Sequence, residues 1–179
     1  HYTYCILGDG CMMEGISGEA CSLAGTLKLN KLIALYDDNE ISIEGDTNIA
    51  FREDVPARYR AYGWNVIDVA DANCFCQVNA AITLAKKSDK PTLIVCHTAI
   101  GFGSPKQGMA ASHGEPLGVE NLAETKKALG MPADKFVVLP EVYDHCREMM
   151  EKNVAEEEKW NEMFVAYCRA YPELAEEWE

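Results

Sequence analysis

A chain of 179 residues, 48% apolar and 25% charged, can bury one sizeable core and has ordinary globular composition. A formal net charge of −13 argues against nucleic acid as a partner, because a phosphate backbone needs a basic face. No apolar run approaches the roughly 18–20 residues of a membrane span, so no membrane partner is expected. In chain order, residues 2–7 form a β-branched and aromatic run closed by glycines, which reads as a buried strand. Residues 14–29 carry Ile16, Ala20, Leu23, Ala24 and Leu27 at helical spacing. A second apolar strand, residues 32–36, ends on Asp37-Asp38-Asn39 and opens into a polar loop rich in Asp, Asn and Gly.

A helix over residues 55–62, a strand over 64–69, a helix over 75–87 and a strand over 92–98 follow. The alternation predicts an α/β fold, a parallel sheet with helices on both faces. The strand at 92–98 feeds a long glycine-rich loop, residues 101–118, of the kind that is usually functional. Helices are expected over 119–129 and 141–171, the second broken near Asn153. Within it Trp160, Phe164, Tyr167 and Tyr171 draw an aromatic stripe, read as the docking face of an amphipathic helix with an acidic, solvated back. Eight cysteines suggest no disulfide scaffold. Cys5, Cys21, Cys96, Cys146 and Cys168 sit in apolar segments as expected core thiols, and no paired CxxC motif exists to hold zinc.

The pairing of Gly8-Asp9-Gly10 with Asn39, thirty positions after Asp9, carries the chemistry. In a parallel strand–helix–strand unit both strand ends lie on one sheet edge, where ligands bind, so Asp9 and Asn39 should face each other across a crevice. A carboxylate and an amide oxygen make a hard pair suited to Mg²⁺, which takes further ligands from water and phosphate. Gly8 and Gly10 leave room for a phosphate to reach the backbone, and the following helix offers free N–H groups. Taken singly, Asp9 could cap a helix and Asn39 could close a turn. His113, in the glycine-rich loop, could donate to a phosphate or move a proton near neutral pH. His97, inside an apolar run, reads as a core or near-site residue.

The string Gly8-Asp9-Gly10-Cys11-Met12-Met13-Glu14-Gly15-Ile16-Ser17, with Ser22-Leu23-Ala24-Gly25 and Tyr36-Asp37-Asp38-Asn39-Glu40-Ile41-Ser42-Ile43, closely resembles transketolase. The resemblance continues through Ala61-Tyr62-Gly63-Trp64, Lys90-Pro91-Thr92-Leu93-Ile94, Ile100-Gly101-Phe102-Gly103-Ser104 and Ser112-His113-Gly114. Beyond these it reaches Glu141-Val142-Tyr143, Trp160-Asn161 and Ala170-Tyr171-Pro172-Glu173, so it spans the chain in order. It departs at Glu115-Pro116-Leu117, where the family usually has Ala-Pro-Leu. The resemblance implies thiamine diphosphate as cofactor, with Mg²⁺ held by Asp9, Asn39 and the Ile41 carbonyl, and Ca²⁺ able to replace it. It implies that Gly8, Gly10 and His113 meet the diphosphate, that His113 also handles substrate oxygen atoms, and that Ile43 and Ile100 flank the thiazolium. Glu14 matches a residue that communicates across a dimer interface at the cofactor.

The implied reaction is transfer of a two-carbon ketol unit from a ketose phosphate to an aldose phosphate, as in the pentose phosphate pathway, by a homodimer with its active sites at the interface. The glutamate that bonds the aminopyrimidine belongs to another domain, of the partner subunit, and no segment here resembles it. Residues 1–179 are therefore expected to be part of the diphosphate- and Mg-binding domain, with the aminopyrimidine-binding and C-terminal domains outside the chain, and to be inactive alone. The acidic balance would not steer sugar phosphates in, so local positive groups must. Alternatives are a related enzyme such as dihydroxyacetone synthase or deoxyxylulose phosphate synthase, or a non-catalytic assembly module. The chain opens on a strand pattern rather than a signal or transit pattern, and the expected compartment is the cytoplasm, an organelle being the alternative.

Overall fold

The structure, a computed structural model, describes residues 1–178; Glu179, the last residue of the expected domain, lies outside the described residues. It divides into two units, His1–Met131 and the residues from Pro132 onward. In the first, β1 (Thr3–Gly8), β2 (Leu32–Asp38), β5 (Asn65–Val69) and β6 (Thr92–His97) form one sheet in the order β1-β2-β6-β5. All three pairings are parallel. Between β2 and β5, the expected polar loop folds a small antiparallel hairpin, β3 (Ile41–Ser42) with β4 (Gly45–Asp46), and a turn of 3-10 helix at Thr47–Ile49.

Helices cover both faces, as the alternation of elements predicts. On one face lie α1 (Asp9–Met13), α2 (Gly15–Thr26) and α3 (Val55–Ala61). Their Met12, Ala24, Val55 and Tyr59 bury against Ala34 and Tyr36 of β2 and Leu93 and Val95 of β6. Trp64 closes this core edge-on to Tyr59, with ring centroids 5.1 Å apart, and its indole N–H donates to the Cys21 carbonyl at 2.8 Å. On the other face α4 (Phe75–Ala85) packs Ala81 and Ala85 against Ile33, Ile94, Cys96 and Val69. α5 (Val119–Ala128) follows the glycine-rich loop. The backbone at Glu14 is extended (φ −73°, ψ 133°), so the single helix expected from residue 14 starts one residue later, behind the separate short α1.

The expected burial of the first strand does not hold. β1 pairs with β2 alone, and α4 lies over β5 and β6, so Ile6 is 81% exposed; Cys5, on the opposite face of the strand, is exposed too. An apolar run forms a strand wherever it can pair, but burial needs a layer on each face. Of the five cysteines expected in the core, only Cys96 is buried. Cys21 and Cys168 are half-buried and Cys146 is exposed, while all eight thiols are free.

The second unit contains α6 (Pro140–Ala170) and α7 (Pro172–Trp178). α6 runs unbroken through Asn153, correcting the expected break. An asparagine costs a helix interior only about 0.7 kcal/mol relative to alanine, and neither Gly nor Pro stands in the helix beyond its first residue. The aromatic stripe is real: Trp160 stacks on Phe164 at 5.0 Å, Phe164 on Tyr167 at 6.2 Å, and Trp178 of α7 packs beside Phe164 at 6.1 Å. Trp160, Tyr167 and Tyr171 of the stripe are exposed. Among the described residues no helix is long and apolar enough to cross a membrane.

Candidate functional site

The winding of the sheet reverses between the neighbours β2 and β6. The connections β1–β2 and β2–β5 pass over one face and β5–β6 over the other. Ligands of open α/β sheets bind outside the carboxyl ends of the strands at such a reversal. The register aligns three strand ends there: Gly8 beside Asp37, Asp37 beside Cys96, and Asp38 beside His97. A cleft of about 750 Å³ opens at this point, a size ordinary for a cofactor or substrate.

Seven of the residues singled out in the sequence line it: Gly8, Asp9, Gly10, Asn39, Ile41, Ile100 and His113. They come from three chain segments, the β1–α1 junction, the turn after β2 and the loop after β6. Asp9 is only 5% exposed. Its Oδ1 accepts from the Tyr36 hydroxyl at 2.5 Å and its Oδ2 from the backbone N–H of Glu40 at 3.1 Å. Asp9 therefore stands at the start of α1 without capping it; the N-cap is Gly8. Asn39 Oδ1 accepts from the Ile41 N–H at 3.1 Å, and its Nδ2 lies 3.4 Å from Asp37 Oδ2. Asp37 in turn accepts from the Thr98 hydroxyl through its other oxygen.

Charge accumulates at these strand ends. Burial first, and then the neighbouring Asp9 carboxylate, hold the Asp38 carboxyl above the usual range. His97 offsets part of this, with Nδ1 at 3.0 Å from Asp38 and Nε2 at 3.2 Å from Asp68. It is thus a near-site residue, exposed rather than in the core. The Tyr36 phenol is pushed far above its ordinary value, by burial first and then by its bond to Asp9, so it stays a proton donor.

Asp9, Asn39 and Ile41, which all line the cleft, carry a carboxylate, an amide oxygen and a backbone carbonyl, oxygen donors of a kind compatible with a hard divalent cation. Gly10 lines the cleft, and a Cβ built on it would meet no protein atom within 4 Å. The glycine-rich loop is braced internally. Gly101 (φ +65°) turns where a Cβ would stand 2.6 Å from Ser112 Oγ, and that hydroxyl donates to the Lys106 carbonyl at 2.7 Å, immediately before His113.

Two candidates are not brought into the cleft. Ile43 lies in the β3–β4 turn, 72% exposed, and Glu14 lines a separate depression with Met12, Phe51 and Arg58. Sequence reasoning missed Tyr36, Asp37, Thr98 and the wall residues Ala72 and Val78. The alternation along β2 places Tyr36 and Asp38 on one face and Asp37 on the other, but which face held the site needed the sheet order.

Fold and cleft together define a ligand-binding α/β domain, with a cofactor-sized cleft outside the carboxyl ends of parallel strands. The family model for the transketolase thiamine diphosphate binding domain matches residues 1–179. The chain belongs to the transketolase family. It is 52% identical over 180 residues to transketolase 2 of Vibrio parahaemolyticus, covering 100% of this chain and 27% of that one. Transketolase 1 of Escherichia coli is 50% identical over 99% of this chain and 27% of its own. Among solved structures, a Pichia stipitis transketolase in complex with sedoheptulose 7-phosphate superposes with a TM-score of 0.91 at 48% identity, covering 97% of this chain and 26% of that one. The Leishmania mexicana transketolase gives 0.91 at 43% identity, over 96% of this chain and 26% of its own. The chain thus spans about a quarter of the length of the relatives it matches.

Proposed function

We propose that this chain supplies the diphosphate- and metal-binding half of a transketolase active site. The observation that carries the reading is the convergence of Gly8, Asp9, Gly10, Asn39, Ile41, Ile100 and His113, from three separate segments, on one cleft at the switch point. Asp9, Asn39 and the Ile41 carbonyl hold Mg²⁺, which Ca²⁺ can replace; the Gly10 N–H and His113 hold diphosphate oxygens. Ile100 gives the thiazolium an apolar wall. The assignments of Ile43 to its other flank and of Glu14 to a subunit interface rest on resemblance.

When bound, thiamine diphosphate supplies the carbanion chemistry of two-carbon transfer. The residues of this chain bind and orient it. Asp9, Asn39 and the Ile41 carbonyl would hold the cation whose positive charge offsets diphosphate repulsion and so fix the depth of the cofactor, and His113 donates to a phosphate or substrate oxygen or moves a proton there. Ketose and aldose phosphates are the substrates, the working unit is a homodimer completed by an aminopyrimidine-binding domain and a C-terminal domain, and the compartment is the cytoplasm. The relatives' names and the sugar phosphate bound in the Pichia stipitis transketolase support this reading.

Calorimetric titration of the full-length protein with thiamine diphosphate, with and without Mg²⁺, tests the site. Mg²⁺-dependent binding that Asp9→Ala abolishes is expected. Binding that ignores both the metal and the substitution would overturn the assignment. Profiling ketose donors and aldose acceptors on the same protein separates transketolase from dihydroxyacetone synthase.

A further inference from the structure

We infer that Tyr36 is a positioning residue for the cation: it fixes the carboxylate of Asp9 in its ligating orientation, an inference that rests on the metal-diphosphate reading above. Tyr36 is 3% exposed and lies in the core with Met12, Val95 and Tyr59, so its ring has no room to swing. Its hydroxyl reaches Asp9 Oδ1 at 2.5 Å, across from β2 to the start of α1. The other oxygen, Oδ2, takes the N–H of Glu40, the residue between Asn39 and Ile41. One carboxylate is therefore gripped from two sides, by a core side chain and by the backbone of the turn that carries the other two ligands.

A carboxylate offers about four lone-pair sites, and these two bonds occupy one on each oxygen. Neither Tyr36 nor Glu40 lines the cleft that Asp9 lines, so the remaining lone pairs are the ones available to a cation there. The phenol donates and takes nothing from the carboxylate, so it can orient Asp9 without competing for the cation. Partners that orient a ligand in this way typically change metal affinity by about 10–100-fold when removed. Glu40 alone would hold one oxygen and let the carboxylate rotate about that single bond. With Tyr36 added, the segment Gly8–Gly10 and the segment Asn39–Ile41 keep a fixed separation before any metal arrives.

The test compares Tyr36→Phe with the unaltered full-length protein. The substitution deletes one oxygen and keeps the ring. Thiamine diphosphate binding is followed by calorimetry across a Mg²⁺ series, and the melting temperature of each metal-free protein is recorded. The expected result is a half-saturating Mg²⁺ concentration raised about 10–100-fold in Tyr36→Phe, with cofactor binding restored at high Mg²⁺. A purely structural tyrosine would lower the metal-free melting temperature and leave the Mg²⁺ requirement unchanged, and that outcome overturns the inference. The same substitution in an Asp9→Asn background is expected to add no further loss of Mg²⁺ affinity, because Tyr36 acts through Asp9; full additivity would overturn the inference as well. If the unaltered protein binds the cofactor without regard to Mg²⁺, the metal reading falls and this inference with it. If it needs Mg²⁺ and Tyr36→Phe needs no more, only the role of Tyr36 falls.

Discussion

β1 and β6 look alike as text and differ as structure. Both are short, apolar, β-branched runs that carry a cysteine, and both lead into a segment of the cleft. Yet β6 is buried from Thr92 to Cys96, whereas β1 is exposed along most of its length. The difference is position. β6 has a strand on either side and a helical layer on each face, while β1 has one strand partner and a face that α4 does not reach. Strand identity is written locally; burial is a property of the neighbours a strand acquires.

The contrast can be broken most forcefully at Ile94 and Ile6. Ile94 is fully buried, so Ile94→Ala should cost about 2–5 kcal/mol in denaturant unfolding of the chain. Ile6→Ala should cost less than about 0.5 kcal/mol. Equal losses would mean that β1 is covered in solution.

The same contrast recurs within α2, where one side is sealed and the other open. A Cβ on Gly25 would stand 1.8 Å from the Tyr62 carbonyl oxygen, while Leu23, two residues earlier, is exposed. Gly25→Ala should cost about 1–3 kcal/mol, as overpacking does, and Leu23→Ala far less. A Gly25→Ala protein of unchanged stability would show that α2 and the Tyr62 turn can part freely.

Thiol chemistry sharpens the comparison with the smallest effect. Burial first, and then the nearby Asp37 charge, push the Cys96 thiol of β6 up, so little of it is thiolate at pH 8. Iodoacetamide should label Cys5 of β1 quickly and spare Cys96 until the protein unfolds, as read by peptide mass. The sign for stability follows from the same shift. The contribution of Cys96 is fully present below the unfolded thiol value of about 8.5 and is lost as pH climbs from there through the raised folded value. Rapid labelling of Cys96 in the folded protein would remove the basis for both statements.

Much of the site was legible because its chemistry is local. Gly8-Asp9-Gly10 and Asn39 each close a strand, and strand ends in parallel units share one edge by topology alone. His113 was reachable through the length and glycine content of its loop, whereas Ile100 was named by the family resemblance alone. The grip of Tyr36 on Asp9 was not legible, because an aromatic residue in a strand ordinarily signals core, and only the packing of β2 beside α1 aims its hydroxyl at a carboxylate. Nor was the brace from Thr98 to Asp37, which joins residues sixty-one positions apart.

The sequence by itself determined the element types, the parallel α/β class and the residues with ligating chemistry, since these depend on periodicity and on atoms each residue carries. The unbroken run of α6 past Asn153 shows the limit even there, because a weak local preference yields to thirty helical neighbours. Only the tertiary structure decided which apolar strand is buried, where the winding reverses and which oxygens of Asp9 are already engaged. Those are properties of distance between segments far apart in the chain, and no local pattern encodes a distance.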